Sequence, residues 1–154
     1  LKGKRDGEIL MKKPVVLFVC TGNSARSQMA EGLLRKRAGD RFDARSAGTE
    51  PKGLNPLSVE AMKEIGIDIS GHRSKDLSEL MSKVAIQYAV FVCSSADDRC
   101  PSLASFSGER LFWPFEDPAA ATGTHEEKLA AFRKVRNQID ARIVEWLVEL
   151  PMAG

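Results

Sequence analysis

Cys20 follows an unbroken apolar run, Val15 to Val19, and is separated from Arg26 by Thr21, Gly22, Asn23, Ser24 and Ala25. A thiolate is a strong nucleophile, and a guanidinium offers a planar fork of donors suited to a tetrahedral oxyanion. The residues between are small, and Gly22 and Asn23 tolerate the positive φ of a tight loop. Amide N–H groups at such a strand-to-helix junction converge readily on an anion. Thr21, Gly22, Asn23, Ser24, Ala25 and Arg26 are therefore the candidate oxyanion cradle, and Cys20 the candidate nucleophile beneath it. The same donors would favour a thiolate over a thiol. Ser24 and Ser27 carry hydroxyls able to donate to the sulfur or to bond the loop backbone. The plain alternative is a buried Cys before an ordinary turn.

Two more thiols, Cys93 and Cys100, and one carboxyl group, Asp117 before Pro118, complete the list of groups with chemistry. Cys93 ends a second apolar run, "YAVFV". An odd cysteine count in a chain this long argues against a secreted disulfide framework. Cys93 and Cys100 have six residues between them, more than the two to four usual in a structural zinc site, and His72 and His125 are the two imidazoles of the chain. Asp before Pro is by itself a common turn former.

The elements that must position these groups can be read from periodicity. Val15 to Val19 and Tyr88 to Val92 are expected as buried strands of a parallel sheet. A helix is expected from about Ser24 to Ala38, a strand near Phe42 to Ser46, and a helix opened by Asn55 and Pro56. "SKDLSELMSKV" reads as further helix and "ERLFWPF" as a fourth strand. Thr124 to Leu150 reads as the longest helix, opened by a capping box of Thr124 with Glu127. Its residues Leu129, Phe132, Val135, Ile139, Ile143, Trp146 and Leu150 form one apolar stripe. Alternating strands and helices imply an α/β sandwich with a mostly parallel sheet. Ligands bind at the carboxyl ends of such strands, where Cys20 and Cys93 both fall.

With 154 residues, 43% hydrophobic and 29% charged, the chain can form one compact core. Residues 1–10 read as an upstream extension or added leader, and residues 11–154 as a single domain. Lys and Arg total 23 against 21 for Asp and Glu, without long runs of either sign, so neither nucleic acid nor a membrane surface is indicated. No stretch approaches the ~20 apolar residues of a membrane span, and the start lacks a signal-peptide core. The expected location is the cytoplasm, the expected state a monomer.

"VCTGNSARSQMAEG" resembles the phosphate-binding loop of the low-molecular-weight protein tyrosine phosphatase superfamily, and "RSQMAEG" is more similar to its arsenate reductase branch. The resemblance continues through "SAGTEPKGLNPLSVEAMKEIGIDISGHRS" and "WPFEDPA" to "FRKVRNQI". It implies a three-layer sandwich on a four-stranded parallel sheet. It also implies reduction of arsenate to arsenite by three thiols without a metal or organic cofactor. Cys20 would attack arsenate, Cys93 would attack the Cys20 sulfur, and Cys100 would resolve the disulfide, with thioredoxin or a similar dithiol protein as reductant.

By the same resemblance Asp117 would be the general acid, with Glu116 a poorer candidate. Ser27, Glu31 and Ser46 would support the loop, and Asn23, Glu31 and Ser46 would be potassium ligands in some relatives. The further acidic ligand expected after "HRS" is ambiguous, because Lys75 precedes Asp76; the Lys75 ammonium could replace the cation. Two departures stand out. Ala25 occupies a position that is often Cys, which excludes a disulfide within the loop, and "DPAAATG" lacks the tyrosines that usually follow the acid in phosphatases. The rival readings are a phosphomonoesterase working through a phosphocysteine at Cys20, for which phosphate rather than arsenate is the oxyanion, and a noncatalytic oxyanion-binding or redox-sensing domain.

Overall fold

The computed structural model describes residues 12–94 and 106–150, so residues 95–99 between the second and third cysteines, Cys100 itself and residues 1–10 lie outside the described residues. Four strands form one sheet: β1 Val15–Cys20, β2 Asp43–Gly48, β3 Tyr88–Phe91 and β4 Glu109–Phe112. Their order is β2-β1-β3-β4 and every pairing is parallel. The helices are α1 Arg26–Ala38, α2 Pro56–Lys63, α3 Leu77–Met81 and α4 His125–Glu149. β1 is central and buried along its whole length, which is why it reads as a continuous apolar run rather than an alternation.

The two faces of the sheet carry separate cores. Phe18, Cys20, Val90 and Val92 pack with α1, α2 and α4 on one face, joined there by Cys93, Trp113 and Trp146. Leu17, Val19, Ala89 and Phe91 pack with Leu77 and Leu80 of α3 on the other. Helices thus cover both faces, giving the expected α/β sandwich. α4 is capped as expected: Thr124 Oγ1 accepts from Glu127 N, and the Glu127 side chain accepts from Thr124 N. Its stripe is buried from Leu129 to Trp146, while Leu150 is only partly covered. Among the described residues no helix is long and apolar enough to cross a membrane.

Several boundaries differ from expectation. α1 begins at Arg26 rather than Ser24, because residues up to Ala25 are held in the loop; Ala25 has φ −129° and offers no capping side chain. β2 runs on to Gly48, and β3 stops at Phe91. "SKDLSELMSKV" contributes only the five-residue α3, opened by Asp76, whose carboxylate accepts from Ser78 N and Glu79 N.

α2 and α4 are clamped by Glu64, which meets Arg133 and Arg136 of α4. These hydrogen bonds, Arg133 first, hold the Glu64 carboxyl at about 2, below its ordinary 4.5. A carboxylate depressed in the fold adds stability that is complete above the unfolded value and is lost as pH falls toward the folded one. Urea titrations across pH 4.5 to 2 are therefore expected to give a smaller loss for Glu64→Gln than for the parent. In the core, Ile139→Ala removes a fully buried side chain and is expected to cost about 2–5 kcal/mol in the same assay.

Candidate active site

The loop after β1 is built by what its carbonyls do. Thr21 O accepts from Glu50 N, Gly22 O from Lys52 N and Ser24 O from Asn55 N, each at 2.9 Å. Asn23 O accepts from Ser74 Oγ at 2.7 Å and from Gln28 Nε2 at 3.1 Å. The amide N–H groups of Thr21, Gly22, Asn23, Ser24 and Ala25, by contrast, have no hydrogen-bond partner among the described residues. Five successive unpaired donors beside a partly buried loop are what an oxyanion would satisfy.

Asn23 alone in the loop takes a positive φ, 48°. Gly22 does not, so of the two residues able to tolerate the left-handed region only Asn23 uses it. The glycine that the loop does require is Gly48, at the end of β2. A Cβ there would stand 2.5 Å from Thr21 O and 2.9 Å from Asn23 N, so the chain closes on the loop only without a side chain.

Cys20 is 3% exposed and lies at the carboxyl end of β1. Its Sγ is 3.0 Å from Ser27 Oγ, and Ser27 Oγ accepts from Asn23 Nδ2 at 2.8 Å. With that bond accepted, the Ser27 hydroxyl donates to the sulfur. Of the two expected serines, Ser27 reaches Cys20; Ser24 meets the surroundings through its carbonyl.

Arg26 is 5% exposed and donates through Nη1 to Phe115 O at 3.0 Å. Its Nη2 is 3.9 Å from Asp117 Oδ2. Asp117 Oδ1 also accepts from Ala119 N at 3.0 Å and so opens a turn of 3₁₀ helix, Pro118–Ala120. The turn-former reading of Asp117 is met by Oδ1, while Oδ2 faces the loop arginine and the side chain is 40% exposed.

Cys93 lies just beyond β3, is 5% exposed, and belongs to the same core face as Cys20. Its Sγ is 3.7 Å from Val19 O, the carbonyl that precedes Cys20. Cys20 is a free thiol. Two of the three expected thiols are thus brought to one edge and one face of the sheet.

Glu31 and Ser46 are bonded to each other, and Arg35 binds the second Glu31 oxygen. Lys75 Nζ stands 3.7 Å from Glu31 Oε1 and donates to Arg73 O at 2.8 Å. Burial lowers the Lys75 ammonium from its ordinary value, and Glu31 opposes that shift. Asn23 Oδ1 already accepts from Lys75 N and Gln28 Nε2. The side-chain oxygens of Asn23, Glu31 and Ser46, the expected potassium ligands, thus have protein partners, and the Arg35 guanidinium and the Lys75 ammonium both face Glu31.

The chain matches the family model described as low molecular weight phosphotyrosine protein phosphatase over residues 15–153. It belongs to that family. Among its members, the chain is 52% identical over 134 residues to an arsenate reductase of Halalkalibacterium halodurans, covering 86% of this chain and 94% of the relative. It is 44% identical over 137 residues to an arsenate reductase of Bacillus subtilis, covering 88% and 96%. Among solved structures, an arsenate reductase in the phosphate-binding state superposes with TM-score 0.75 at 28% identity, covering 90% of this chain and 99% of that one. A thioredoxin-dependent arsenate reductase of Corynebacterium glutamicum gives 0.68 at 28% identity, covering 93% and 64%. Within the phosphatase family the chain therefore stands with the arsenate reductases.

Gln28, Gly48 and Ser74, which meet the loop directly, were not singled out from the sequence, and His72, which meets Gln28, was named there only as an imidazole. Gly48→Ala is expected to lower the melting temperature and weaken phosphate binding measured by calorimetry, because the added methyl group meets loop backbone. Ser27→Ala is expected to slow alkylation of Cys20 about 10- to 100-fold, the range for losing a hydrogen bond to a charged group.

Proposed function

We propose that the protein reduces arsenate to arsenite through Cys20, Cys93 and Cys100. The observation that carries this reading is the Cys93 thiol, buried at the carboxyl edge of the sheet on the Cys20 face, where phosphoester hydrolysis has no use for it. The unpaired amides of Thr21 to Ala25 and the Arg26 guanidinium hold the oxyanion over the sulfur. The Ser27 hydroxyl stabilises the thiolate.

Cys20 Sγ attacks arsenic, and a hydroxyl group of arsenate leaves as water after accepting one proton, for which Asp117 is the donor. The Cys93 thiolate then attacks Cys20 Sγ. A sulfur–sulfur bond forms, the sulfur–arsenic bond breaks, and its electron pair stays on arsenic, which departs as arsenite. Cys100 attacks Cys93 Sγ and releases Cys20 as thiolate. A dithiol protein of the thioredoxin class reduces the Cys93–Cys100 disulfide. No step draws on a metal or organic cofactor, and the Lys75 ammonium takes the place of a potassium ion beside Glu31. Such a relay works in the cytoplasm, where thiols remain reduced.

The test is arsenate-dependent NADPH consumption coupled through thioredoxin and thioredoxin reductase. Cys20→Ser is expected to abolish turnover. Cys93→Ser and Cys100→Ser are each expected to reduce it by more than about 100-fold, since each removes a thiol from an obligatory sequence of exchanges. Full turnover in either variant overturns the relay, and robust phosphotyrosine hydrolysis without arsenate turnover selects the phosphatase.

A further inference from the structure

A run of side-chain hydrogen bonds leads from the His72 ring to the Cys20 sulfur, and the neighbours of each link leave it one arrangement of protons. Arg35 Nη1 is 3.1 Å from His72 Nε2. A guanidinium only donates, so Nε2 accepts and the ring proton sits on Nδ1, 2.9 Å from Gln28 Oε1. Burial, the largest influence on this ring, lowers its pKa and favours that neutral form, with Glu31 opposing.

The Gln28 amide cannot be reversed. Its Nε2 is 2.9 Å from Arg73 O and 3.1 Å from Asn23 O, both carbonyls that only accept. The same nitrogen is 3.1 Å from Asn23 Oδ1, which also receives Lys75 N–H at 2.8 Å. Asn23 is thereby fixed with Nδ2 toward Ser27, and Ser27 with its proton toward the sulfur. Gln28, Asn23 and Ser27 are each 0% exposed, so water does not replace a missing link.

We propose that His72 is a positioning residue for Cys20: its Nδ1–H holds Gln28, and through Gln28 and Asn23 it fixes Ser27 as the donor to the sulfur. The inference rests on the reading of Cys20 as nucleophile, but the structural claim can be tested without arsenate. Protons aligned donor to acceptor along such a run reinforce one another. Removing the first donor leaves the buried Gln28 Oε1 without its partner and weakens the reinforcement passed along the run, while Arg73 O and Asn23 O still hold the Gln28 nitrogen. The oxyanion amides are not part of the run, and the Asn23 carbonyl keeps its Ser74 bond, so the effect falls more on the nucleophile than on anion binding.

The experiment compares the parent with His72→Ala, His72→Asn and His72→Gln. An Asn amide nitrogen lies near the Nδ1 position, whereas a Gln amide reaches toward Nε2; the two share their chemistry and differ in where the donor stands. Alkylation of Cys20 by iodoacetamide at pH 7 is followed by peptide mass mapping, with inorganic phosphate protection measured alongside. His72→Ala and His72→Gln are expected to slow Cys20 alkylation by about tenfold with phosphate affinity within about twofold, and His72→Asn is expected to restore the parental rate. Parental rates in all variants overturn the proposal, as does an Asn variant as slow as Ala. If His72→Ala does not fold, the Asn and Gln pair still decides. In the coupled arsenate assay the same pattern is expected in kcat with KM held; alkylation effects without any change in turnover would instead contradict the role of Cys20 in the reaction.

Discussion

Tethering of the loop carbonyls is the constraint on which the rest depends. Thr21, Gly22 and Ser24 bind the amides of residues 50, 52 and 55, and Asn23 binds Ser74 and Gln28. Once the acceptors are committed outward, the donors of the same residues are left for a ligand. Unpaired amides are costly in an empty site, and an oxyanion removes that cost. Gly48 permits the approach that makes the tether, and the buried β1 supplies the fixed edge from which the loop departs.

Much of this was legible in advance, for reasons that can be traced to particular residues. The continuous apolar runs before Cys20 and Cys93 announced central strands, since a strand covered on both faces needs no alternation. Thr124 with Glu127 and the stripe from Leu129 to Trp146 announced α4, because capping and 3.6-residue periodicity are local. The pairing of Cys20 with Arg26 across a small-residue loop pointed to the strand-to-helix junction whose amides the fold leaves facing away from its tethered carbonyls. The strand-to-helix order then placed Cys93 at the same edge.

What was not legible depends on contacts between distant segments. Nothing local marks Gly48 as the residue against which the loop closes, and nothing in "GHRSK" marks His72 as a partner of Gln28. The helix start was misplaced by two residues because Ser24 is a good cap in isolation, whereas its carbonyl is drawn toward Asn55 and Ser58. Asp117 read as either acid or turn former from sequence. The fold uses one carboxylate oxygen for the turn and leaves the other near Arg26, so the turn contact leaves an oxygen at the loop mouth.

Ala25 gives the account its sharpest consequence. With no thiol beside the loop arginine, the Cys20 sulfur has Cys93 as its neighbour thiol on the same face. The most direct measurement is therefore to treat reduced Cys100→Ser protein anaerobically with one equivalent of arsenate, block free thiols with N-ethylmaleimide, and map disulfides by mass spectrometry. A Cys20–Cys93 disulfide formed in proportion to arsenite released is the predicted result. Arsenite released while Cys93 is recovered fully alkylated would contradict it.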